Sequence, residues 1–162
     1  MYQHILLAVA LQQWEEFSTH ALAAREAAVA LARGSGAKLS VLSVYDYGKI
    51  EEPSLSAEMA ARYREDHMRR IDAAMEMKMK AFAQGLDIPV NAVLKEGEAR
   101  KMIVTTADTL GVDLLVIGGH SKRSILDVVL GGTAAYLYRH APCPVVMVRP
   151  GPGEKDLTPA AE

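Results

Sequence analysis

Asp113-Leu114-Leu115-Val116-Ile117-Gly118-Gly119-His120-Ser121, followed ten residues later by Gly131-Gly132-Thr133, is the stretch whose reading decides the fold. A short apolar run that breaks into glycines reads as a buried parallel strand ending in a tight loop. The second glycine pair opens a helix that runs to His140. Backbone N–H groups at a helix start lack intrahelical partners and carry the positive end of the dipole. Glycines there let a phosphate approach the backbone closely. The pattern therefore points to an anion-binding crevice, with a nucleotide phosphate as occupant. A plainer reading stands beside it, in which Gly131-Gly132 only caps a helix.

Composition narrows the class. A chain of 162 residues is the length of one domain and buries roughly two thirds of its unfolded surface. Half of the residues are apolar and 23% are charged, as in ordinary globular domains. A net charge of −2 gives no electrostatic reason to expect nucleic acid or an anionic membrane as partner. One cysteine excludes an internal disulfide, and no zinc-like spacing of cysteine and histidine occurs, so no metal site is expected. The apolar runs fall short of a membrane span. Met1-Tyr2-Gln3-His4-Ile5 enters a strand without a signal peptide's basic and apolar regions, so the cytoplasm is the expected location.

Strands and helices alternate along the chain. Ile5 to Ala10 is an apolar strand, and Gln12-Gln13-Trp14-Glu15-Glu16 leads into an alanine-rich helix from Ser18 to Arg33 that Gly34-Ser35-Gly36 stops. Lys38 to Tyr45 is the second strand. A long helix is predicted from Ser54 to about Gln84, with Met68, Met75, Met79 and Phe82 on one face. Such a stripe either packs the core or forms an adaptable binding surface, and core packing is the simpler reading. The third strand is Ile88 to Leu94, a short helix spans Glu98 to Leu110, and the fourth strand is Leu114 to Ile117. A helix from Gly131 to His140 and a strand from Pro144 to Val148 complete a domain of residues 1–150. Small and polar residues from Gly151 onward predict a disordered tail over 151–162.

This alternation implies right-handed crossovers and a parallel sheet covered on both faces, a Rossmann-like α/β architecture. Ligands bind such sheets beyond the carboxyl ends of the strands, where strand order reverses. If the first strand neighbours the fourth, Val9-Ala10-Leu11 and Gly118-Gly119 flank that point, where the glycine loop also lies.

The chain resembles the universal stress protein family. The resemblance rests on Met1 to Leu7, Leu39 to Asp46, Glu96-Gly97-Glu98-Ala99, Gly111 to Gly118, and Leu130-Gly131 through Arg139-His140-Ala141-Pro142-Cys143-Pro144-Val145. It covers residues 1 to 150 and implies a five-stranded parallel sheet in the order 3-2-1-4-5. It further implies a homodimer that pairs strand five, Val145 to Val148, with its twofold mate, covering an otherwise exposed edge.

The nucleotide-binding branch of that family carries Gly, two residues, Gly, nine residues, Gly, then Ser or Thr. Here Gly118 and Gly131 match, Ser121 replaces the middle glycine, and Gly132 replaces the hydroxyl residue, with Thr133 one place late. Shifting the motif by one residue matches Gly119 and Gly132-Thr133 but puts Lys122 in the middle. An aspartate that usually ends the first strand is Ala10 here. Gly132 keeps its N–H, whereas Ser121 avoids the left-handed backbone or accepts strain of about 1 kcal/mol. Ala10 lacks an acceptor worth roughly 1–3 kcal/mol, a loss of about tenfold to a hundredfold in affinity. Lys122 and Arg123 offset part of this by pairing with phosphates.

Other residues carry weaker signals. Cys143, between two prolines, is either a redox-sensitive thiol or, more simply, a packing residue. His120 on the glycine loop is placed to contact phosphate; no carboxylate partner marks it as an acid or base. His4, His20, His67 and His140 are expected to bond locally, and Asp127 to lie on a helix surface. No dinucleotide or Walker-type motif occurs. Trp14 either stacks on a base or blocks the crevice.

The resemblance implies a cytoplasmic homodimer that binds ATP or AMP as a regulatory ligand, with Mg2+ only accompanying the nucleotide. Phosphates would rest on Gly131, Gly132 and Thr133, shaped by Gly118, Gly119, His120, Ser121 and Lys122, and the base near Val44 and Ala10. No catalytic residue is assigned, and at most slow ATP hydrolysis is expected. The alternative is the same dimer without nucleotide, acting through an unidentified protein partner, a reading favoured by Ala10 and Trp14.

Overall fold

Continuous aliphatic runs become strands because only a parallel sheet covered on both sides buries every side chain of such a run. The computed structural model describes residues 1–12, 16–52, 56–119 and 132–152. It contains strands β1 (His4–Ala8), β2 (Lys38–Tyr45), β3 (Val90–Glu96), β4 (Leu114–Gly118) and β5 (Val145–Val148). All neighbours pair in parallel, in the order β3-β2-β1-β4-β5 expected from the sequence. Helices α1 (Thr19–Ser35) and α2 (Ala57–Ala83) cover the face of Ile5, Leu7, Val41 and Val116. Helices α3 (Ala99–Thr109) and α4 (Gly132–His140) cover the face of Leu6, Leu42, Leu115 and Ile117. Within the described residues no helix is long and apolar enough to cross a membrane.

Several element ends differ from the sequence reading, each for a local reason. β1 stops at Ala8, not Ala10, although the Val9 N–H still reaches Leu42 O at 2.9 Å. β3 runs two residues later than predicted, because Ile88 packs against the α1/α2 face before pairing begins at Val90. α1 ends at Gly36, whose φ of 70° requires the left-handed conformation that glycine adopts freely. α2 starts behind Ser56, whose hydroxyl accepts the Met59 N–H at 3.3 Å. Of the predicted stripe, Met75, Met79 and Phe82 are core, whereas Met68 is half-buried. The helix is about 40 Å long, so its first half overhangs the sheet. From residue 153 onward, the tail lies outside the described residues.

The amino ends of the strands are tied by a polar network. The Asp113 carboxylate accepts the Gln3 N–H at 2.7 Å and the His4 N–H at 3.0 Å, joining β1 to the start of β4. His4 places Nδ1 3.1 Å from Leu110 O and Nε2 2.8 Å from the Ser40 hydroxyl, which also accepts from Asn91 Nδ2 at 3.2 Å. A neutral imidazole with its proton on Nδ1 satisfies this chain across three strands. The local bonding expected of His4 is thus present, and His67 likewise sits 3.1 Å from Tyr47 O. His140 stacks on Tyr136, ring centroids 4.3 Å apart. Cys143 is half-buried against the α3/α4 face, and that burial pushes its thiol pKa up, as suits a packing residue.

The carboxyl end of β4 is packed closely enough to exclude side chains. A Cβ on Gly118 would lie 3.0 Å from the backbone oxygen of His20 in α1, and one on Gly119 would lie 2.7 Å from Cγ and Sδ of Met147 in β5. The neighbour at Gly118 is rigid backbone; the neighbour at Gly119 is a side chain that can turn away. Gly118→Ala is therefore expected to destabilise by about 1–3 kcal/mol and Gly119→Ala by less, despite the shorter contact, as read by urea denaturation.

The two backbone donors hold the Asp113 carboxyl below the usual carboxylate range, Gln3 contributing most. A depressed folded-state pKa stabilises the fold above the unfolded value of about 4, and this contribution fades as pH falls through the folded value. Asp113→Asn should thus flatten the fall of stability below pH ~4 relative to wild type, measured by denaturation at stepped pH.

Candidate functional site

The chain leaves β1 toward α1 on one face of the sheet and leaves β4 toward α4 on the other, so a crevice opens between the two carboxyl ends. Ala10 is exposed at this mouth, between Val9 and Leu11, which are both buried. The Leu11 N–H reaches the buried Ser43 hydroxyl at 3.3 Å, securing the turn to β2. Val44, half-buried, packs on the α3/α4 face, the side from which α4 approaches. The β1–β2 ladder ends at Ala8 opposite Leu42, and Ala10 and Val44, each two residues further on, lie toward the carboxyl ends of these neighbouring strands.

The glycines divide into two kinds. Gly118 and Gly119 lack side chains because α1 and Met147 occupy the space, and the Gly119 N–H is spent on Val148 O at 2.8 Å. Gly132 and Thr133 are exposed at the start of α4, whose first turn carries no acidic residue. Among the described residues, a Cβ on Gly132 would meet nothing closer than Arg100 Nη1 at 3.9 Å. The open backbone suited to an anion is thus at α4, while the pair after β4 serves packing. His120, Ser121, Lys122 and Gly131, with Arg123, Asp127 and Trp14, lie outside the described residues.

Sequence reading missed the polar clasp that holds the mouth of the crevice. The Gln12 amide donates to Asp46 O at 2.6 Å and accepts the Asp46 N–H at 3.0 Å, locking the ends of β1 and β2 together. Lys78 of α2 donates to Gln12 O at 3.1 Å. Tyr45 and Tyr47 both donate to Asp72 Oδ1, at 2.7 and 2.8 Å, and this carboxylate pushes both phenol pKa values up. These partners are 25 to 66 residues apart in sequence, so no local spacing could reveal them.

A second missed group stands at the start of α3. Arg100 Nε donates to Glu98 Oε1 at 2.9 Å, Lys101 Nζ approaches Glu98 Oε2 at 2.9 Å, and the Arg100 guanidinium lies 5.6 Å from the Tyr136 ring centroid. The two cations hold the Glu98 carboxyl below its usual range, Lys101 contributing more. Among the described residues, no three His, Cys, Asp or Glu side chains converge as a metal site requires.

Comparison with known proteins agrees with this architecture. The profile of the universal stress protein family matches residues 1–149. The chain is 29% identical over 153 residues to a universal stress protein of Thermus aquaticus, "in QAH/OAS sulfhydrylase 3'region", covering 92% of this chain and 100% of that one. A universal stress protein family protein from Arabidopsis thaliana, solved with AMP bound, superposes with a TM-score of 0.64 at 20% identity, over 99% of both chains. A universal stress protein solved in complex with cAMP does so with a TM-score of 0.55 at 20% identity, over 93% of this chain and 98% of that one. These two likenesses concern the fold. The profile match spans nearly the whole sequence, and on that basis the protein belongs to the universal stress protein family.

Proposed function

We propose that the protein binds an adenine nucleotide, ATP or AMP, as a regulatory ligand in the crevice between the carboxyl ends of β1 and β4. The support for this reading is topological: β1 and β4 are neighbours in the sheet, and Ala10 and the start of α4 both follow the carboxyl ends of this pair. In this reading a phosphate lies at Gly132 and Thr133, at the positive helix end. The AMP and cAMP carried by two proteins of the same fold support an adenine nucleotide as the occupant. Mg2+ enters only with a polyphosphate. Residues 120–131 supply the rest of the loop in this reading, with His120, Ser121, Lys122 and Gly131 along the phosphates.

Ala10 and, from the sequence, Trp14 favour the alternative, a dimer that acts through a protein partner and holds no nucleotide. Ala10 offers the ribose and base no acceptor. Calorimetric titration of the nucleotide-stripped protein with ATP and AMP separates the two. Micromolar affinity is expected; no heat at millimolar ATP would leave the partner reading in its place.

The protein is further proposed to work in the cytoplasm as a homodimer through β5. This strand pairs with β4 along one edge, and Val146 is 37% exposed. Exposed apolar edge strands recruit further strands. A lysine at Val146 would bury an unpaired charge in such a pairing. Val146→Lys is expected to shift a sedimenting dimer to monomer without loss of secondary structure; an unchanged mass would place the dimer surface elsewhere.

A further inference from the structure

The edge of the sheet opposite β5 is open. Among the described residues β3 pairs only with β2, and Val90-Asn91-Ala92-Val93-Leu94 carries no charge to guard its free side. Between this strand and the second half of α2 lies an open groove of about 530 Å3, lined by Met79, Ala83, Ala92 and Leu94. Glu76 and Lys80, one helical turn apart on α2, line it with opposite charges. Neither makes an ion pair with a described residue. Next to Glu76, Met77 is 74% exposed, more than any other large apolar side chain among the described residues except Met1.

An apolar knob beside an apolar groove, with one charge of each sign at the rim, is a patch that complements itself. Twofold contacts need that property, because each copy offers the same surface to the other. We propose that a second copy of this chain docks on this patch, α2 antiparallel to α2, with Met77 of each copy entering the groove of the other. Glu76 of each helix then faces Lys80 of its mate. Burial of Met77 against Ala92 and Leu94 drives the contact, and the unbranched methionine side chain adapts to an irregular groove. The charges fix the direction, since parallel helices would set Glu76 against Glu76 and Lys80 against Lys80. The patch is small and rimmed by charge, so the contact is weak and forms as concentration rises. β5 lies at the other edge of the sheet, so the two contacts do not compete, and together they join β5 dimers into larger assemblies.

The test is sedimentation velocity of the full chain over a concentration series. Wild type should pass from dimer to larger species as concentration rises, whereas Met77→Asp should stay at the dimer. Val146→Lys, monomeric when dilute, should dimerise when concentrated, and adding Met77→Asp should raise that dissociation constant by about tenfold or more. Glu76→Lys should weaken the contact by opposing like charges, and Lys80→Glu in the same chain should restore it. Glu76, Met77 and Lys80 are all exposed, so these variants keep the fold. Equal association by wild type and Met77→Asp would overturn the proposal, as would a Val146→Lys chain that stays monomeric at every concentration. Failure of the double charge reversal would overturn the antiparallel pairing. A dimer that survives Val146→Lys and is lost in Met77→Asp would support the groove and remove the β5 contact instead.

Discussion

The pairing of β1 with β4, from Ile5 opposite Leu114 to Ala8 opposite Ile117, is the constraint on which the rest of the molecule depends. Both strands lie inside the sheet, and Ile5, Leu6, Leu7, Leu115 and Val116 are completely buried. A two-residue alternation sends half of each strand toward α1 and α2 and half toward α3 and α4. Burial on both faces leaves no register in which the strands could slip without exposing a row of aliphatic side chains. Because the chain enters the sheet in the middle and builds outward in both directions, the crossovers diverge at this pair. The crevice is a geometric consequence of that divergence.

Packing then decides which parts of the crevice stay open. At the end of β4, α1 comes so close that its backbone oxygen at His20 would stand 3.0 Å from any Cβ on Gly118, and Met147 fills the space over Gly119. A glycine in a motif thus serves here as a spacer for helix and strand. At the start of α4, Gly132 and Thr133 are exposed, and among the described residues none stands within 3.9 Å of a Cβ on Gly132. On the opposite rim, Gln12, Asp46, Lys78 and the tyrosine pair on Asp72 tie three elements into one wall. The mouth is therefore rigid on the side of β2 and α2.

Charge is distributed around this frame with some economy. At the amino ends of the strands, Asp113 is satisfied entirely by backbone N–H groups, so its charge is spent on joining strands. At the carboxyl ends, Glu98 binds two cations on its own helix, and one of them leans over the start of a neighbouring helix. The first arrangement is held by backbone donors; the second is a partly exposed surface cluster.

Much of this was legible in the sequence for a simple reason. Aliphatic runs such as Leu39 to Val44 and Leu114 to Ile117, punctuated by Gly36, Gly85 and Gly111, carry their own length and polarity pattern, and those suffice for element type and order. The strand order 3-2-1-4-5 came only through the family resemblance that the chain carries. Tertiary structure alone decided that β1 ends at Ala8, that β3 begins at Val90, and that Met68 is only half-buried, because each depends on how far one element extends over another. It alone separated Gly118 and Gly119, spent on packing, from Gly132, left open. Arg100 and the Gln12 clasp were invisible beforehand, since their partners are distant in the chain and only folding sets them within bonding range. Short-range pattern determines the elements, and long-range contact determines what their ends can hold.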